Sequence, residues 1–292
     1  MQIHQLRYFV AVAQARHFTR AAELTGVSQP SMSKQIRVLE NSLGTPLFVR
    51  HRGGIELTSA GEALLPHAER IVIGAEAAHE AVQEVAGLRR GRVRLGATPS
   101  LCDSLLPQVL TAFHQRHPRI DLEVHESGSR LLTRDLARGR LDLSLNIVSR
   151  QPESDDLVTT ELLTEELVLV GPPDVELPAE VGVRELRDTP LVMVREGYDL
   201  RERTNAACRQ AGFEPVIAVE GGEMSAVLRF VEAGLGRAIV PEMVVATRPH
   251  LSVARLVSPT LTRTIGVAHR VEEAMSLAAR AFREELLAQL LE

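Results

Sequence analysis

Gln29, Ser33, Lys34 and Arg37 recur at spacings of one, three and four, which gathers them on one side of a helix. Glutamine can pair bidentately with adenine, arginine and lysine reach guanine or phosphate, and serine reaches either. Arg50 and Arg52 lead into the Gly53-Gly54 pair, where a tight hairpin would lay both guanidinium groups along a phosphate backbone. A second set has different chemistry. Thr98-Pro99-Ser100-Leu101 and Ser127-Gly128-Ser129 offer hydroxyls and free backbone N–H groups, the equipment for holding an anion. Asn146 and Ile147 follow another apolar run. Gly197-Tyr198-Asp199-Leu200 and Gly221-Gly222-Glu223-Met224 bring carboxylates, which favour an amine or hydroxyls. Each hydroxyl is also what a helix N-cap needs, so the set points to a ligand only if the fold brings its members together.

None of these residues forms a reactive constellation. The chain has no G-x-S-x-G, no phosphate-cradling glycine loop and no H-E-x-x-H. His114 and His117 lack acidic or cysteine partners and suit a surface face. The expectation is therefore a protein that is not an enzyme and carries no metal or cofactor. Cys102 and Cys208, far apart and without a C-x-x-C, exclude a disulfide framework and fit small buried hydrophobes. The alternatives are a thiol redox switch, favoured at Cys208 by its neighbour Arg209, and a small-molecule-processing enzyme.

The elements around the first set read as a helix-turn-helix. Ile3, Leu6, Phe9, Val10 and Ala13 mark an amphipathic helix, and a short helix from about Phe18 to Leu24 turns Ala21, Ala22 and Leu24 inward. Gly26 can take the positive φ of the turn, Ser28 is a good N-cap, and Val27 can staple against Met32. Met32, Ile36, Leu39 and Leu43 then form the buried stripe opposite the basic face. Pro46–Arg50 and Ile55–Thr58 are strand candidates for a wing.

This region resembles the LysR-type transcriptional regulators. The resemblance runs through Leu6-Arg7-Tyr8-Phe9-Val10-Ala11-Val12-Ala13, Phe18-Thr19-Arg20-Ala21-Ala22, the run from Val27 to Ile36, Leu39-Glu40, Leu43-Gly44, Pro46-Leu47-Phe48 and Leu57-Thr58-Ser59-Ala60-Gly61. It implies DNA contacts at Gln29, Pro30, Ser33, Lys34 and Arg37 on the recognition helix and at Arg50 and Arg52 in the wing. His17 departs from the small polar residue that the family commonly has before its second helix.

Beyond the wing, Leu64, Ala68, Ile71, Ala75, Ala78, Val82 and Val85 alternate steps of four and three, a coiled-coil seam. Thirty residues of helix span roughly 45 Å. The resemblance implies that this linker dimerises the heads, which would then read a two-fold related site on double-stranded operator DNA, and that two dimers build a homotetramer.

The body repeats itself. Pro118 and Pro215, Ile120 and Ile217, Leu122 and Val219, Leu131 and Leu228, Gly139 and Gly236, and Arg140 and Arg237 all stand 97 positions apart. Each copy alternates strands (Val93–Ala97, Ile120–Val124 and Leu141–Leu145; Leu191–Val194, Val216–Val219 and Ala238–Val240) with helices, which calls for two α/β lobes with parallel-rich sheets. Leu162–Val170 and Thr264–Ala268 read as crossovers between the lobes, and Glu272–Leu291 as a helix returning to the first. Such sheets bind ligands beyond their strand C-termini, so the second set of residues belongs to an interlobe cleft. The resemblance continues here, to the family's effector-binding domain, itself similar to periplasmic solute-binding proteins.

The expected fold is thus α/β. It comprises a winged helix-turn-helix over residues 1–60, a linker helix over 58–87, lobe I over 92–163 and 265–292, and lobe II over 164–264. The 292 residues carry a net charge of −5, but residues 1–60 hold seven basic side chains against three acidic ones, +4, leaving −9 elsewhere. A basic head on an acidic body suits a nucleic-acid module joined to something that does not touch nucleic acid. Lys34 is the chain's one lysine beside 32 arginines. Without an apolar run of membrane length or a signal-peptide core, the expectation is a cytoplasmic protein whose partners are operator DNA, a small-molecule effector and, for an activator, RNA polymerase.

Overall fold

The computed structural model describes residues 1–51, 54–85, 91–148, 156–271 and 275–291, and the chain forms two compact units. The first comprises Met1–Leu88 and Arg138–Arg140. It opens with helices α1 (Ile3–Ala15), α2 (Phe18–Thr25) and α3 (Gln29–Leu43), followed by the antiparallel hairpin β1 (Phe48–His51) and β2 (Gly54–Leu57) and the long helix α4 (Ser59–Val85). The helix boundaries have local causes. Gly26 and Gly44 stop α2 and α3 with φ of +68° and +72°, a conformation that costs glycine little. Ser28 Oγ accepts a hydrogen bond from Ser31 N at 3.4 Å and starts α3. His17 does the same work for α2, its Nδ1 accepting from Arg20 N at 3.5 Å.

The core of this unit is Leu6, Phe9, Val12, Ala21, Met32, Ile36, Leu39 and Leu47, joined by Ala68 and Val72 of α4. Three positions expected inside lie at its rim instead: Leu24 is 73% exposed, Ile3 48% and Leu43 41%. Each stands within two residues of its helix's end, where no neighbouring element covers it. The expected seam of α4 also divides. Ala68, with Leu64 beside it, serves the head's own core, whereas Ile71 and Val82 are exposed, 41% and 66%. One helix therefore carries two apolar faces, and a single heptad merges them. Residues 86 and 87 of the expected linker lie outside the described residues.

The second unit comprises Arg89–Ala137 and Leu141–Glu292. Its first lobe contains β3 (Arg92–Ala97), α5 (Pro99–Cys102), α6 (Leu106–Arg116), β4 (Asp121–Glu126), α7 (Ser129–Ala137) and β5 (Leu143–Ile147). The chain passes along β6 (Leu157–Gly171) into β7 (Glu180–Gly182), β8 (Leu191–Met193), α8 (Asp199–Gln210), β9 (Ile217–Glu220), α9 (Met224–Glu232), β10 (Ala238–Pro241), α10 (Glu242–Val245) and β11 (Ser252–Val257). It returns along β12 (Thr262–Arg270) to α11 (Leu277–Leu291). The expected start of that last helix, Glu272, lies outside the described residues.

Among the described residues the strands β4-β3-β5-β12-β6-β11-β7 form one path, with β10 also paired to β6, and β8-β9 stand apart. β3 is parallel to β4 and β5, β8 is parallel to β9, and β12 is antiparallel to β5 and β6. One core packs β3, β5 and β12 against α6 and α11, with Phe113 and Phe282 meeting edge to face at 4.9 Å. The other surrounds Leu167–Val170. The two lobes repeat the same order of elements, but not in one register. Leu132 and Leu136 of α7 are buried as Val227 and Val231 of α9 are, and Gly139 and Gly234 share a positive φ after their helices. The offset there is 95, so Leu131, 44% exposed, has no counterpart in buried Leu228, nor Gly139 in Gly236. β5 likewise starts two residues after the expected Leu141.

Candidate nucleic-acid interface and ligand cleft

The recognition surface is built by α3. With Met32, Ile36 and Leu39 inward, Pro30, Lys34 and Arg37 are exposed, while Gln29 and Ser33 are half-buried. Gln29 Nε2 donates to Ser33 Oγ at 2.8 Å, leaving its second N–H and its carbonyl oxygen for a base edge. The rotation of α3 is set from behind. Buried Gln5 donates from Nε2 to Gln35 Oε1 at 3.1 Å, and His4 Nε2 lies 3.2 Å from the same oxygen. Glu40 Oε1 accepts from Leu47 N at 2.9 Å and from Phe48 N at 3.4 Å, fastening the base of the wing to α3. None of these positioning residues was singled out by pattern, because their partners are remote in sequence. Arg50 lies in β1 opposite Ile55, and Arg52 lies outside the described residues.

In the second unit, a narrow cleft opens between the lobes. Thr98, Pro99, Ser100, Ser129 and Ile147 line it from the first lobe, and Val194, Tyr198, Asp199, Leu200, Glu223 and Met224 from the second. Most of the residues expected at a ligand are thus brought together. Leu101, Asn146, Gly222 and Ser127 are among those that do not line it. Leu101 is fully buried in the first lobe's core. Asn146 is used internally, its Oδ1 accepting from Ser144 Oγ at 2.8 Å and its Nδ2 donating to Thr133 Oγ1 at 3.3 Å. Gly222 adopts φ +86° in the turn before α9, and Ser127 donates its backbone N–H to Ala97 O at 3.2 Å.

Val194 and Arg263 are lining residues that pattern missed, and Arg263 is the charged one. It is 3% exposed, faces Glu165 across the paired strands β12 and β6, and donates from Nε and Nη2 to Glu165 Oε1 at 2.9 and 2.7 Å. Its Nη1 donates to Ser100 Oγ at 2.7 Å. Burial pushes its pKa down while Glu165 pushes it back up. The sign of such a buried pair in adjacent crossover strands was available in the sequence, but only once their register was known.

The remaining charges of the cleft are also paired. Arg203 Nε donates to Asp199 Oδ2 at 2.5 Å, and Arg195 Nη2 lies 2.6 Å from Glu223 Oε1 and donates to Tyr198 Oη at 2.7 Å. Among the described residues, two cleft atoms make no hydrogen bond: the hydroxyl of Thr98, a residue only 5% exposed, and Glu223 Oε2. Burial pushes the Tyr198 phenol up. Burial, then the charge of Glu223, pushes the Glu126 carboxyl up.

The cysteines sit in separate cores. Burial, assisted by Glu126, pushes the Cys102 thiol up to about 12, and burial also raises that of Cys208. Reactivity requires the thiolate, so neither thiol has the low-pKa setting of a redox sensor. Among the described residues no group of His, Cys, Asp and Glu could hold a metal ion, and no helix is long and apolar enough to cross a membrane.

Comparison with known proteins places both units. The family model described as "Bacterial regulatory helix-turn-helix protein, lysR family" matches residues 3–62, and "LysR substrate binding domain" matches residues 86–291. The transcriptional dual regulator GltC of Bacillus subtilis is 32% identical over 289 residues, covering 97% of this chain and 96% of its own. A probable hydrogen peroxide-inducible genes activator of Streptomyces viridosporus is 36% identical, covering 98% and 92%. The solved structure of full-length CbnR with its target DNA superposes with a TM-score of 0.72 at 26% identity, covering 98% of this chain and 99% of that one.

Proposed function

Because the chain belongs to the LysR family of transcriptional regulators, we propose that Gln29, Pro30, Ser33, Lys34 and Arg37 read its operator, that Arg50 and Arg52 follow the phosphates, and that the interlobe cleft takes the effector. The DNA reading rests on one observation above the others: Gln29 is oriented by Ser33 on a capped helix whose exposed face is basic. On the same reading the chain divides into a head over residues 1–60, a linker over 58–87, lobe I over 92–163 and 265–292, and lobe II over 164–264. The exposed Ile71 and Val82 belong to the seam between two heads, and paired dimers make a homotetramer. The protein works in the cytoplasm, performs no catalysis, and meets RNA polymerase if it activates.

The effector switches transcription through unequal affinity for two arrangements of the heads, since equal affinity shifts nothing. The unpartnered Thr98 hydroxyl inside the cleft supports the site. Competition binding against single-base operator variants tests the interface. Gln29→Ala is expected to lose about 1–3 kcal/mol of discrimination at one base pair per half-site, while Arg52→Ala weakens all sequences alike and flattens the salt dependence. Equal losses at every position for Gln29→Ala would remove it from base readout.

A further inference from the structure

We propose that the effector carries a cationic nitrogen, a primary amine or its equivalent, that docks on Glu223 Oε2, and a hydrogen-bond acceptor that takes the Thr98 hydroxyl. The inference rests on the cleft being the effector site and adds the class of ligand. It follows from which groups are already satisfied. Arg263 is held by Glu165 and Ser100, Arg203 by Asp199, and Arg195 by Glu223 Oε1 and Tyr198. These three cations offset three carboxylates, so the cleft presents no surplus positive charge to a simple anion.

Glu126, at the end of β4 and outside the lining, feels the charges of Glu223 and Asp103 and the opposing charge of Arg195, so it adds no free cation to the cleft. The two orphaned atoms are then informative. A buried hydroxyl or carboxylate oxygen without a partner costs free energy that a ligand group can recover. Glu223 Oε2 can only accept, so its partner is an N–H or O–H donor; the Tyr198 phenol interacts with this carboxylate but makes no hydrogen bond to Oε2, and the carboxylate's own charge favours a charged nitrogen. Thr98 is the N-cap residue of α5, yet its side chain makes no capping bond, which leaves its proton free for an acceptor on the ligand. The intervening walls, Pro99, Ile147, Val194, Leu200 and Met224, accommodate a short aliphatic body.

Calorimetric titration of the full-length protein with three matched series provides the test: L-amino acids, the same skeletons lacking the carboxylate, and the same skeletons lacking the amine. At least one amine-bearing compound is expected to bind, and to lose about tenfold or more in affinity on removal of its amine. Glu223→Gln should produce a similar loss for that compound. Thr98→Val should weaken it too, and Thr98→Ser should restore it, with thermal melting of the unliganded variants as the control for folding. A carboxylic acid without an amine that binds as tightly, and tighter still to Glu223→Gln, overturns the amine assignment; if Thr98→Val weakens that acid, the cleft itself stands. An amine-bearing ligand indifferent to both Thr98→Val and Glu223→Gln overturns the cleft as well. Absence of binding by every amine-bearing compound at millimolar concentration also overturns the proposal.

Discussion

Arg263 and Cys102 illustrate how burial decides the meaning of a residue. Arg263 is one of 32 arginines in the sequence, and only its place opposite Glu165 makes it the charged member of the cleft floor. Cys102 carries a reactive group that its surroundings silence, with consequences at high pH. An acid whose pKa is raised by folding holds its proton more tightly when folded. The stability it contributes is complete below the ordinary thiol value near 9 and is lost as pH climbs towards about 12. Cys208 and Tyr198 are shifted in the same direction. With a single lysine and two tyrosines in the chain, few other groups titrate in that window. The urea midpoint is therefore expected to fall progressively between about pH 9 and 12, and more shallowly in Cys102→Ala. A slope unchanged by that substitution would show that the thiol titrates normally in the folded protein.

At the scale of elements, helix ends such as that at Gly26 and the start at Ser28 were the most legible features, because these residues act on their own neighbours. The faces were less so. Periodicity recognised α4 but could not tell that the head covers Ala68 and leaves Ile71 exposed, since the two are three residues apart, about 60° round the helix, and equally apolar in pattern. The distinction is testable. Asp at both Ile71 and Val82 is expected to abolish self-association through this helix with little change in the head's melting, whereas Val72→Asp places a charge in the head core and unfolds it. Sedimentation and thermal melting of these variants separate the two faces. Dimeric behaviour of the Ile71→Asp/Val82→Asp protein's first 90 residues would reassign the seam. The cleft was legible because topology carries strand ends to one place; Leu101 and Asn146 were misplaced because successive residues of a strand face opposite ways and those of a helix turn by about 100°, so a neighbour of a lining residue points into the core.

For the effector unit as a whole, the lobes approach closely at the cleft. Arg130 of α7 and Glu202 of α8 form an exposed ion pair at 3.0 Å, worth about 0–1 kcal/mol. Nearby, a Cβ on Gly128 would stand 2.9 Å from the carbonyl oxygen of Gly197 in the opposite lobe. Gly128→Ala is thus expected to prop the cleft open and weaken the effector about tenfold, with DNA binding in its absence unchanged. Effector titration and operator binding of the same variant check both halves, and unchanged effector affinity would mean that binding does not require this approach.

The passage of β6 out of lobe I and of β12 back into it also fixes an order of events during synthesis. Lobe II is one uninterrupted stretch of chain, so its core around Leu167–Val170 can be completed while translation continues. Lobe I is split: Phe113 waits for Phe282, and Val93 and Leu95 for Leu286, all contributed by a helix made almost two hundred residues after the first strand. A nascent chain halted after β12 should consequently hold a protease-resistant lobe II beside an unfinished, chaperone-accessible lobe I. The protein cannot bind its effector with both walls of the cleft in place until its final helix has been made.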